Sequence, residues 1–237
     1  MKKIKLIREL EEYPVFDLKT VQTIIKKSRN YTKLVLSRLK KEGLIFKILK
    51  NKYTTCKEAF VVASNITWPC YLSFWTALRY YNLTEQLPTA IFVITTRAGK
   101  KEIIFNKTRI IFAKVKPNYF FGFTKEKYNS FDIFMADPEK AIIDSVLFRK
   151  ISFSEISSIF KNNLNKINKK KFIGYLLRIK NKALIKRFGF LLDNFNLDIS
   201  DKVKDYVCDY NYVPLDYAIE KKGKKNKKWK IIENVKL

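Results

Sequence analysis

Three short helix-patterned segments, each ended by its own stop signal, and then a strand–turn–strand fill the first 57 residues. Ile4, Ile7 and Leu10 recur at helical spacing between Lys2 and Glu12, and Pro14 closes that segment. Asp17 is suited to cap a second helix, Leu18 to Lys27, with Val21, Ile24 and Ile25 on its inner side. Ser28-Arg29-Asn30 reads as a turn with Asn30 capping a third helix, Tyr31 to Glu42, that carries Leu36 and Leu39 inward. Gly43 is the expected left-handed stop. Leu44 to Leu49 then reads as a strand, Lys50-Asn51-Lys52 as a turn and Tyr53-Thr54-Thr55 as the returning strand. Three helices and a β-hairpin in this order predict a winged helix-turn-helix, whose third helix enters the DNA major groove.

Charge points the same way. The chain carries 49 Lys and Arg against 22 Asp and Glu, a net of +27, which makes a polyanion the expected partner. The excess is uneven, at +11 in residues 1–57, +9 in residues 58–220 and +7 in residues 221–237. With no histidine, His-based acid–base catalysis and Ser-His triads are excluded. Cys56, Cys70 and Cys208 lack the paired spacing of a zinc site or a disulfide framework. Residues 59–78 hold no charge, but Ser64-Asn65-Ile66-Thr67-Trp68-Pro69 would break a spanning helix at its middle. No signal-peptide core follows the basic start, so the expectation is a cytoplasmic chain without membrane contact.

A groove-reading helix needs short polar and basic side chains on its outward face. Asn30, Tyr31, Thr32, Lys33, Ser37, Lys40 and Lys41 are the candidates, with Lys33, Ser37 and Lys40 at i, i+4, i+7. Lys47, Lys50 and Lys52 on the hairpin are the candidate phosphate contacts. The competing reading is a helical protein-interaction domain with a solvated lysine face.

Further on, the spacing predicts a helix from Tyr71 to about Tyr81 with Trp75 and Leu78 as core. Strands are expected at Ile91–Thr95, Ile103–Asn106, Arg109–Val115 and Phe131–Ala136, mostly antiparallel. Asp137-Pro138-Glu139-Lys140 is a helix start with an Asp cap, and Glu139 complements the helix dipole. Asp137, Glu139 and Asp144 admit a second reading, as metal ligands of a DNA nuclease. Phe120-Phe121-Gly122-Phe123 reads as aromatic core or as a base-stacking cluster.

The run Pro69-Cys70-Tyr71-Leu72-Ser73-Phe74-Trp75-Thr76-Ala77-Leu78, followed by Tyr81 to Pro88, resembles the start of the C-terminal domain of AbiEi-type antitoxins. Cys70 stands where that family usually has Ser, and Asn82 where it has Gly. Lys116 to Gly122 and Ala136 to Asp144 are similar to later runs of the same family, so the resemblance covers roughly residues 5–150. It implies an antitoxin that represses its own toxin–antitoxin operon at operator repeats in double-stranded DNA. The implied toxin is a nucleotidyltransferase encoded beside it. None of the six glycines opens the toxin's own nucleotide-binding motif. Arg79, Glu85 and Arg97 are the candidate exposed side chains of the antitoxin-like part.

Beyond residue 150 the pattern is helical, at Ser154–Phe160, Asn168–Lys180, Ala183–Asn194 and Ser200–Cys208. Lys221 to Lys230 places seven lysines in ten residues and reads as a mobile phosphate-binding tail. The expected class is α+β: a winged helix-turn-helix at 1–57, then an α/β domain with a mostly antiparallel sheet at 58–150. A helical extension at 151–220 and a basic tail at 221–237 complete it. The expected function is DNA-binding regulation without a cofactor, a catalytic residue or a metal. A plain winged-helix transcription factor, with a ligand-sensing or dimerising C-terminal domain, is the alternative.

Overall fold

The structure, a computed structural model, describes residues 3–237. Lys2, the expected start of the first helix, lies outside them. The fold is mixed α+β, and it opens with α1 (Lys3–Glu11), α2 (Leu18–Ile25) and α3 (Arg29–Lys41). The hairpin β1 (Phe46–Leu49) and β2 (Lys52–Thr54) follows, then α4 (Ala59–Asn65), β3 (Cys70–Leu72) and α5 (Trp75–Tyr80). Five strands come next: β4 (Ala90–Thr95), β5 (Glu102–Phe105), β6 (Thr108–Lys114), β7 (Phe123–Tyr128) and β8 (Phe131–Ala136). The remainder is α6 (Pro138–Leu147), α7 (Phe153–Asn162), α8 (Lys169–Ile179), α9 (Lys182–Asp193) and α10 (Lys204–Val207), then β9 (Val213–Pro214), β10 (Lys224–Asn226) and β11 (Ile231–Glu233). No described helix is long and apolar enough to cross a membrane.

The chain forms two compact units that interleave along the sequence. One gathers the chain up to Leu72 with Thr89–Val115 and Lys125–Met135; the other gathers Ser73–Pro88, Lys116–Thr124 and Ala136–Leu237. Residues 3–57 belong to the first unit together with most of a six-stranded sheet.

In the first unit, α1 to α3 and the hairpin share one core of Leu6, Leu10, Phe16, Val21, Leu36, Leu39 and Ile45. The inner face of α1 is therefore Leu6–Leu10 at i, i+4, and Ile4, expected inside, is 72% exposed. Both spacings are apolar in the sequence, and only the partners of α1 decide between them. Asp17 caps α2 as expected, accepting from the Thr20 amide at 2.9 Å. Ser28, and not Asn30, caps α3: its hydroxyl accepts from the Tyr31 amide, so the helix begins at Arg29. Gly43 (φ +70°) ends α3, where its amide donates to the Lys40 carbonyl at 3.1 Å and the Leu44 amide to Leu39 at 3.0 Å.

The sheet runs in the order β5-β6-β4-β3-β8-β7 and is mixed, which corrects the mostly antiparallel expectation. β5 is antiparallel to β6 and β3 to β4, but β4 runs parallel to β6, from Ala90↔Arg109 to Thr95↔Lys114, and β3 runs parallel to β8. After β4 the chain crosses to the sheet edge, forms β5 and turns back, so β6 returns beside β4 in the same direction. The expected helix start at Tyr71 is strand β3, and α5 begins only at Trp75.

In the second unit, Phe74 rather than Trp75 is the fully buried aromatic, with its ring 5.6 Å from that of Phe148. Leu78 is buried as expected and Trp75 is half-buried. Phe153, Phe172 and Phe188 stack edge-on within α7, α8 and α9. Asn168 and Asn181 cap α8 and α9. The helix expected over Ser200–Cys208 is broken into a 3-10 turn, Ser200–Lys202, and α10.

The lysine-rich C-terminal segment forms strands, where a tail without secondary structure was expected. β11 pairs antiparallel with β10 and parallel with β9. Trp229, between β10 and β11, is buried against α9 and donates its indole N–H to Asp193 at 2.6 Å. The ring occupies the space a side chain at Gly189 would need: a Cβ there would stand 2.1 Å from Cζ3 of Trp229. A single aromatic among lysines anchors the run because its socket lies on another element.

Candidate nucleic-acid interface

The surface of α3 follows from its buried stripe. Thr32, Leu36 and Leu39 are buried, and 3.6-residue periodicity then turns Asn30, Leu34, Ser37 and Lys41 farthest outward. Lys33 and Lys40 flank that ridge on one side, Tyr31 and Arg38 on the other, and all are exposed. Thr32, expected among the base-reading residues, faces the core instead, where its hydroxyl donates to the Ser28 carbonyl at 2.9 Å. Arg38 and Leu34 were not among the sequence candidates, although the same periodicity places them outward.

Electrostatically the helix is one-signed. Arg29, Lys33, Arg38, Lys40 and Lys41 are exposed, and α3 contains no carboxylate. None of the five pairs with an acid among the described residues. Glu42, just past the helix, is engaged by Lys3 at 2.8 Å. The first turn of α3 carries no acid, so its dipole and Arg29 both present positive potential there.

The hairpin is held in place from two sides. Phe16, from the α1–α2 connection, exchanges backbone hydrogen bonds with Tyr53, and the Asn51 side chain at the tip accepts from the Leu18 amide at 3.1 Å. Lys47 and Lys50 are exposed, the latter in the turn. Lys52 is only half-exposed: its ammonium donates to the Ile66 carbonyl, which removes it from the set of free hairpin cations.

The other candidates separate. Arg79 donates to the Thr84 carbonyl at 3.2 Å and closes the loop after α5, so it is a structural tie and not an open side chain. Glu85 and Arg97 are exposed, in the second and the first unit respectively. Asp137, Glu139 and Asp144 are buried and spent on structure. Asp137 sits at the N-cap of α6 without capping it through its side chain; it accepts from the Tyr175 phenol at 2.7 Å and pairs with Lys171 at 2.9 Å. Burial, and then the Asp137 carboxylate it donates to, push the Tyr175 phenol well above its ordinary value. Glu139 accepts from the Asn168 amide at 2.7 Å, and Asp144 accepts from Ser73 at 3.0 Å and pairs with Lys140. In the Phe120–Phe123 cluster, Phe121 packs on Tyr175 and under Arg178. Burial pushes the Cys70 thiol up to about 12, and its Sγ lies 3.2 Å from the Ser64 carbonyl, to which it donates.

No protein-family model matches the chain, and no curated protein matches it.

Proposed function

We propose that this protein is a sequence-specific DNA-binding regulator that docks α3 in the major groove of duplex DNA. One observation carries the reading: five exposed cations and no carboxylate on α3, around a ridge of Asn30, Leu34, Ser37 and Lys41. Asn and Ser hydrogen-bond base edges, Leu contacts a thymine methyl, and the flanking lysines and arginines engage phosphates. The helix order, the hairpin and the Phe16–Tyr53 bridge support reading residues 1–57 as a winged helix-turn-helix. In that arrangement Lys47 and Lys50 lie on the wing. DNA enriched from a random duplex pool by the full chain should share one motif, and enrichment without a motif contradicts the reading.

The narrower role, antitoxin and autorepressor, is supported by the resemblance of Pro69–Pro88 and Ala136–Asp144 to AbiEi-type antitoxins. Co-expression of the full chain with a nucleotidyltransferase encoded beside it should restore growth. A Lys33→Ala/Lys41→Ala variant should keep that rescue and lose repression of its promoter. Failure of the unaltered chain to rescue removes the antitoxin role and leaves DNA binding standing.

A further inference from the structure

A cavity of about 650 Å3 opens within the first unit at the crossover from β4 to β5. Thr95 and Lys114, the last residues of the parallel strands β4 and β6, form part of its wall. Arg97, Lys100 and Lys101 come from the crossover itself, and Lys52 from the hairpin. Five cationic side chains thus line one concavity that no carboxylate lines, and none of the five is ion-paired among the described residues. Like charges converging on a cleft focus a positive potential and favour a multiply charged anion there.

The remaining wall is aromatic and apolar. Trp68 is 58% exposed, and Phe134 packs against it with ring centroids 4.9 Å apart, which fixes the indole plane. Phe112 and Ile66 continue this surface. An open, oriented indole beside cations suits a planar ring carrying negative charge. Part of the site is pre-set. The Thr95 hydroxyl donates to the Pro69 carbonyl at 2.8 Å and accepts from the Arg97 amide at 3.2 Å, which fixes the start of the crossover. Lys52 is held by the Ile66 carbonyl. The volume lies within the range of small-molecule sites.

We infer that this cavity binds a free nucleotide, its base stacked on Trp68 and its phosphates among Arg97, Lys100, Lys101 and Lys114. An inorganic anion would leave the indole unused, and an uncharged nucleoside would leave Arg97, Lys100, Lys101 and Lys114 unanswered. The site requires neither α3 nor DNA.

Calorimetric titration of the full chain with the four common nucleoside diphosphates tests this, with adenosine, inorganic pyrophosphate and a ten-nucleotide single-stranded DNA as comparison ligands. At least one diphosphate should bind roughly tenfold or more tightly than adenosine or pyrophosphate. Trp68→Ala and Lys114→Gln should each weaken it by about tenfold, whereas Ser37→Ala on α3 should not. Lys114 is an exposed strand-end residue, so its variant keeps the test decisive if Trp68→Ala unfolds. Three results overturn the inference: no diphosphate binds, pyrophosphate binds as tightly as every diphosphate, or the oligonucleotide binds more tightly and displaces them.

Discussion

Phe16 and Tyr53 exchange both backbone hydrogen bonds, at 2.9 and 2.8 Å, and so fasten the hairpin to the connection between α1 and α2. The Phe16 side chain is buried in the core that α3 shares. Phe16→Ala should therefore cost about 3–5 kcal/mol in a denaturant titration. It should also weaken DNA binding, because hairpin and α3 lose a common support. Full stability in the variant would contradict the role of the buried Phe16 ring in holding this core together.

The exposed residues of α3 and of the hairpin should behave as two classes. Ser37→Ala or Asn30→Ala should reduce preference for the selected motif over random duplex by about 1–3 kcal/mol for each base edge no longer read. Lys47→Ala or Lys50→Ala should weaken binding to both alike. Thr32→Ala should lower stability through the core and leave the preference unchanged. Competition titrations in which all of these variants behave alike would remove the groove assignment.

Local signals are legible wherever they act on their own backbone. Asp17 and Gly43 punctuate α2 and α3 in the sequence as they do in the structure. What needs partners is hidden: the burial of Leu6 over Ile4, the cap at Ser28 in place of Asn30, and the parallel pairing of β4 with β6 across an intervening edge strand. Lys52 resembles its neighbours on the hairpin until Ile66, fourteen residues on, supplies a carbonyl for it. β7 carries no strand signal because half of its six residues, the consecutive Lys125, Glu126 and Lys127, are charged. The candidate helix is thus readable as a face, while its ridge and its inward Thr32 are not.

The socket of Trp229 offers a test in the second unit. Gly189→Ala would drive a methyl into the indole and should destabilise by about 1–3 kcal/mol. Trp229→Ala should cost about 3–5 kcal/mol and release the lysine-rich hairpin to proteolysis. Unchanged protease resistance of residues 221–237 in that variant would contradict the anchoring role.

Asp216 should make stability sensitive to acid. Burial alone would raise its pKa, but hydrogen bonds from the Ser154 hydroxyl and the amides of Ala218, Ser154 and Phe153 outweigh this and hold the carboxyl below its ordinary value. A lowered folded value stabilises above the ordinary carboxylate pKa of about 3.9, and that contribution fades as pH falls below it toward the folded value. Asp216→Asn should therefore lose stability near neutrality and show a shallower decline below about pH 4. An unchanged acid limb would assign the decline to other carboxylates.

The most direct test of the central claim is the salt dependence of DNA binding by the full chain and by a Lys33→Ala/Arg38→Ala/Lys41→Ala variant. Fluorescence anisotropy on a duplex bearing the selected motif, from about 50 to 200 mM salt, supplies the slope of log K against log salt. The unaltered chain should show a steep negative slope. In the variant the slope should become shallower by about 0.9 for each phosphate no longer neutralised, together with weaker binding. Identical slopes and affinities for the two proteins would contradict the assignment of α3 as the DNA-binding face.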